Sequence, residues 1–155
     1  MIEYDSIEWR ELRDTKLLGW VGDRNAIAYV GAVSDAAELF DDVVDADKPL
    51  EEGHVERVLF SLLTQLPLNP FFDAHKYQLC PIMFTGVNAW LDSTKMEKGS
   101  DHEKTHAYVL RDWYMELLMY VIYLTRGREY MRSVSTEVRA FFMAETLEEY
   151  KEKLK

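Results

Sequence analysis

Apolar positions recur along this chain with a helical period. Val55, Val58, Leu59, Leu62, Leu63 and Leu66 step by three and four, which predicts one apolar helix face. Pro49 is placed to open that helix, where its missing N–H costs nothing, and Pro67 to close it. The most informative pattern occupies positions 106, 110, 113, 117, 120 and 124, which hold His, Leu, Trp, Leu, Tyr and Leu. Alternating steps of four and three form a heptad-like seam, and between Trp113 and Leu124 only Glu116 is charged. A helix that is apolar on nearly every face is buried by its neighbours. A long helix from Asp101 to Arg126, stopped by Gly127, is therefore predicted as the axis of the fold, with Leu110, Trp113, Leu117, Val121 and Leu124 in the core.

Capping signals divide the rest. Asp5 and Glu8 have capping-box spacing ahead of an amphipathic stretch to about Leu17. Ser34, followed by Asp35 and Glu38, predicts a helix from there to about Ala46. Asn69-Pro70 pairs a cap with a first-turn proline, and Pro81 predicts a kink or split ahead of a helical stretch from Ile82 to Met96. Two shorter helices are expected near Thr136–Ala144 and Leu147–Leu154, the second opened by Thr146 and Glu149. Residues 20–33 are ambiguous, because the glycines at 19, 22 and 31 read as a loop followed by a short strand or helix from Ala26 to Val33. The expected fold is a single all-α domain over residues 1–155, with seven to nine helices around the 101–126 helix.

Composition agrees with that class. Only 7 glycines and 4 prolines in 155 residues disfavour a turn-rich β sandwich. The single Cys80 excludes an internal disulfide, suits a reducing compartment, and is expected to pack as a small hydrophobe. Against 18 Lys and Arg stand 28 Asp and Glu, a formal net charge of −10 that repels phosphate backbones. The best basic stretch, Arg126, Arg128 and Arg132, is interrupted by Glu129 and suits helix ends, so no nucleic-acid partner is expected. The acidic first residues lack a secretory h-region, and the longest apolar run, Leu117–Leu124, is too short to span a membrane. A cytoplasmic protein with no membrane partner is the expectation.

Three constellations bear on chemistry. His102-Glu103-Lys104-Thr105-His106 fits H-E-x-x-H, in which two histidines one turn apart bind Zn²⁺ and the glutamate activates water. Here Lys104 opposes a metal, the motif falls in a first helical turn, and none of Glu116, Glu129 and His75 is marked as third ligand. The spacing E-x-x-H occurs at Glu51–His54 and Glu103–His106, as in di-iron bundles, with Glu38 and Glu97 in suitable chain order; Gly53 interrupts the first pair. Glu8 and Glu11, then Glu38 and Asp41, give E-x-x-E followed by E-x-x-D, similar to the Mg²⁺-binding pattern of the all-α nucleotide pyrophosphohydrolases. The glycines between the two pairs depart from that family's helical hairpin. Asp45-Ala46-Asp47 opens like a Ca²⁺ loop, but Pro49 stands where an oxygen ligand is required. No cofactor is expected, with Zn²⁺ or Mg²⁺ belonging only to the hydrolase alternative.

Two features favour binding instead. Asp41, Asp42, Asp45, Asp47, Glu51 and Glu52 set six acids against one lysine in twelve residues, a patch suited to a basic protein surface. Aromatic residues reach 13%, a supply of interface anchors. Finally, Asn69-Pro70-Phe71-Phe72, Asn88-Ala89-Trp90-Leu91-Asp92-Ser93, Leu110-Arg111-Asp112-Trp113 and Thr125-Arg126-Gly127 resemble small helical proteins encoded in tailed-bacteriophage genomes. The likeness covers roughly residues 67 to 132 and brings no catalytic residues; it implies a phage or prophage accessory protein. The expected function is thus non-enzymatic protein interaction, and the competing class is a metal-dependent hydrolase.

Overall fold

The computed structural model describes residues 7–46 and 49–155. Asp5 and Asp47 lie outside the described residues, so the first capping box and one acid of the 41–52 patch have no structural account. The fold is all-helical, with no strand among the described residues. Among the described residues, six helices run eleven residues or more: α1 (Ile7–Val21), α2 (Arg24–Asp45), α4 (Pro70–Met96), α5 (Asp101–Arg111), α6 (Trp113–Arg126) and α7 (Arg128–Phe142). Six is fewer than the seven to nine expected. The other two, α3 (His54–Phe60) and α8 (Leu147–Lys153), have seven residues each. Two compact units divide the chain, one ending at Lys76 and the other starting at Tyr77, and α4 runs through the boundary.

In the first unit the ambiguous stretch is mostly helix. Gly22, at φ 75°, ends α1, and the Asp23 carboxylate accepts the Ala26 N–H at 2.8 Å to start α2. Ser34 therefore lies inside α2 and caps nothing. An interior glycine such as Gly31 costs a helix about 1 kcal/mol. Burial of Ala26, Tyr29, Val30 and Val33 on one face outweighs that. The start of α3 is set by Gly53, at φ 77°, and not by Pro49, so Glu51 and Glu52 precede the helix instead of occupying its first turn. Past Phe60 the chain continues as a π turn (Ser61–Gln65) and a 3-10 turn (Leu66–Leu68). Of the predicted stripe only Val58 is buried: Leu59 faces outward within α3, and the π turn breaks the 3.6-residue period ahead of Leu63, which is exposed too. Asn69 caps α4 as expected: its Oδ1 accepts the Phe72 N–H at 3.0 Å, and its amide donates to the Asn25 carbonyl at 2.9 Å.

The second unit departs from expectation twice. α4 passes unbroken through Pro81. Pro81 lies on the exposed side of the helix, where the hydrogen bond that it cannot donate costs least. The long 101–126 helix is divided at Asp112 (φ −84°, ψ 18°), which ends α5 and precedes α6. α6 remains the most buried element: Met115, Leu117, Leu118, Met119, Val121 and Ile122 are all in the core. Leu110 is half-buried and His106 exposed, because the break takes α5 out of line with the seam, and Trp113 and Leu124, at the two ends of α6, are half-buried as well. The Trp113 indole lies against Gly86 of α4, whose buried backbone leaves no room for a side chain.

Gly127, at φ 84°, stops α6 as predicted, and α7 starts at once, eight residues ahead of Thr136. Ser133 and Ser135 donate to the carbonyls of Tyr130 and Arg132, so they sit inside α7 without breaking it. Thr146 and Glu149 form the expected capping box of α8. Cys80 is exposed, contrary to the packed position expected of it. No described helix is long and apolar enough to cross a membrane.

Candidate functional site

The H-E-x-x-H segment opens α5, and its glutamate is already engaged. Ser100 Oγ accepts the Glu103 N–H at 3.3 Å, while Glu103 Oε2 accepts the Ser100 N–H at 2.7 Å and its hydroxyl at 2.8 Å. These hydrogen bonds, the backbone one foremost, hold the Glu103 carboxyl below its ordinary pKa. His102 and His106 stand one turn apart with ring centroids 4.5 Å from each other, both exposed. Among the described residues, no group of three or more His, Cys, Asp and Glu is gathered closely enough to hold a metal ion. Glu116 instead pairs with Arg139 at 2.7 Å. The same holds for Glu8, Glu11, Glu38 and Asp41, and for the Glu51–His54 spacing, where Glu51 meets Arg57 at 3.1 Å and His54 is buried.

The acidic segment is assembled differently. Asp42 and Asp45 fall in the last turn of α2, which carries no basic residue, and Asp41 comes just ahead of it. That end of a helix bears partial negative charge, so three carboxylates there are unfavourable. Ala46 closes the helix in the left-handed region at φ 49°, donating its N–H to the Asp42 carbonyl at 3.1 Å. Glu51 and Glu52 follow, exposed, ahead of α3. In the same unit α3 and the turns after it expose Leu59, Phe60, Leu63 and Leu68.

A third cluster, in the second unit, escaped the sequence reading. Glu97, just beyond α4, has only 11% of its side chain exposed and receives Arg111 Nη1 from α5 and the Tyr150 hydroxyl from α8, each at 2.5 Å on Oε1. The Arg111 guanidinium lies 5.9 Å from the ring centroids of Trp90 and Tyr150. Burial first, and then the Glu97 carboxylate, push the Tyr150 phenol far above its ordinary value, so it stays a donor. Tyr108 donates to the Glu145 carbonyl at 2.5 Å beside it. With the carboxylate held by two donors, this cluster fastens α5 and α8 to the segment just beyond α4. Its members are 14 and 53 residues apart, and only the capping box of α8 hinted at it.

Next to this cluster, burial, followed by the Glu145 carboxylate, raises the Asp112 pKa. A folded-state pKa above the unfolded one means that protonation favours the fold in acid, and that this stability is lost as pH rises through the folded value. Asp112→Asn should therefore raise the melting temperature at pH 7, by progressively less as pH falls toward the ordinary aspartate range near 4, and not at all at about pH 3. Thermal denaturation of both proteins at the two pH values checks this; an equal shift at both removes the titration from the account.

No family model matches this chain, and no curated protein or solved structure shows detectable similarity to it.

Proposed function

We propose that this chain is a non-enzymatic interaction protein that binds a basic partner protein through the acidic corner at the end of α2 and the exposed apolar side of α3. The observation that carries the reading is the C-terminal end of α2, where three aspartates accumulate and the last turn contributes no basic residue of its own. Carboxylates at that end of a helix oppose its dipole, and a cationic surface is favoured beside them. Phe60, 62% exposed, and Leu63, 73% exposed, supply the apolar anchor that charge alone lacks. A net charge of −10 disfavours nucleic acid as the partner. The resemblance of residues 67–132 to phage-encoded helical proteins fits a small accessory protein of this kind.

The test uses a synthetic amphipathic helical peptide with one Lys/Arg face and one Leu face. Its affinity should fall as salt rises. Changing Asp41, Asp42 and Asp45 together to Asn should weaken it about tenfold while stabilising the free protein by about 1 kcal/mol at low salt. Phe60→Ser should weaken binding without altering the salt dependence. A triple variant that binds like wild type, and is less stable, makes the corner structural and ends the proposal.

A further inference from the structure

The helix α4 carries two seams. Leu79, Gly86, Trp90 and Ser93 make the buried one. On the other side Tyr77, Cys80, Phe84, Val87 and Leu91 step by three, four, three and four, an a/d heptad repeat over two full heptads, and every one of them is exposed. Tyr77 is 87% and Phe84 79% exposed, against 39% for Val87 and 40% for Leu91. Scattered exposed apolar residues are ordinary, but a continuous seam on one helix face marks a contact surface.

We infer that this seam joins two copies of the chain, α4 against α4 across a two-fold axis. Three observations favour a second copy over a different partner. From Tyr77 to Leu91 the chain has no Asp, Glu, Lys or Arg, although 30% of the chain is charged. Two molecules of net charge −10 can meet there without bringing like charges face to face, and a charged partner finds nothing on the seam to recognise. The heptad spacing is complementary to itself, which is what an isologous interface requires. The area is also sufficient. A buried Tyr or Phe accounts for roughly 150–250 Å², so the two aromatics offer about 300 Å² per copy. Val87, Leu91 and Cys80 raise this to about 500 Å², and a pair buries about 1,000 Å², the lower bound for a specific interface. The dimer is accordingly a reversible one, with a dissociation constant on the order of micromolar or weaker.

Because each copy is strongly acidic, salt screens the repulsion between them and dimerisation strengthens as salt rises. Binding of a basic partner at the α2 corner weakens with salt, so the two surfaces are separable in one titration. The decisive experiment is sedimentation equilibrium of the full chain from about 1 to 500 μM, a range that brackets an interface of this size. Wild type should pass from monomer to dimer, and Phe84→Asp should weaken the dimer by about thirtyfold, as expected for a central aromatic. Leu91→Lys should weaken it as well, while Val109→Asp, an exposed apolar position on α5, leaves it intact. Cys80, the chain's one cysteine, reports the location: its alkylation by a maleimide should be several-fold slower in wild type than in Phe84→Asp at high concentration. Circular dichroism of each variant confirms that the exposed substitutions leave the helices formed. A wild type that stays monomeric across the range overturns the proposal, as does a dimer that survives both Phe84→Asp and Leu91→Lys or leaves Cys80 equally reactive.

Discussion

Gly86→Ala should lower the stability of this protein by about 2–3 kcal/mol, although the same change inside a helix ordinarily stabilises by about 1 kcal/mol. A Cβ at position 86 falls 2.1 Å from Cε3 of Trp113 and 2.5 Å from its Cδ2. These are ring atoms of an indole held between elements, not the end of a flexible chain, so α4 or the ring must shift. Gly31 is the matched control: it lies inside α2 with nothing within 4 Å of an added Cβ, and Gly31→Ala should gain about 0.5–1 kcal/mol. Trp113→Ala alone should cost about 3 kcal/mol, the low end for a large-to-small change, because the ring is half-buried. In that background Gly86→Ala should turn from harmful to mildly stabilising. Urea denaturation of the four proteins reads the sign change directly. A Gly86→Ala protein more stable than wild type refutes the packing described for α4 and α6.

Arg111→Ala should be the most damaging polar substitution, at about 3–5 kcal/mol. It leaves the Glu97 carboxylate, nearly enclosed, with the Tyr150 hydroxyl alone. It also removes the guanidinium from between the Trp90 and Tyr150 rings. Replacing both charges, as Glu97→Leu with Arg111→Met, should recover most of the loss, since an apolar pair of similar volume needs no desolvated charge. Tyr150→Phe should cost about 1.5–3 kcal/mol, one hydrogen bond to a charged acceptor. Chemical denaturation of the double variant beside the two single variants decides the matter: simple addition of the single losses means that the groups do not act as a pair.

Legibility in the sequence followed the range of the interaction. Devices that close within three or four residues were readable: Thr146 with Glu149, Asn69 with Pro70, and Gly127 as the stop of α6. Where two local signals competed, the wrong one was chosen. Asp23 outranks Ser34 as a cap because Gly22 frees the chain to turn just before it. The π turn after Phe60 is invisible to a 3.6-residue template, which assigned Leu62, Leu63 and Leu66 to a face they do not share. On α4 the outward seam was hidden by Leu79, Ile82 and Met83 beside it, since a helix apolar all round shows no periodicity until exposure separates its faces. The Glu97 cluster had no local signal beyond the capping box that opens α8, being made by residues from three helical regions. The acidic corner was legible as composition, but its placement at the end of α2 and ahead of α3 required the backbone.

The brevity of α8 has a consequence for how the second unit opens. Seven residues are too few to hold a helix in water, where nucleation needs roughly twice that length, so α8 exists only while docked. Its capping box organises the first turn, and Tyr150, reaching Glu97, supplies the anchor. Undocking and melting are thus one event, and this segment opens far more readily than α6, which buries six residues against one in α8. Each such opening admits water to Glu97 and Arg111 while the core of α6 stays closed. This short helix works as a reversible cover, and its amides exchange with solvent at a rate set by the Tyr150 contact and the Lys151–Asp101 ion pair that hold it to its neighbours.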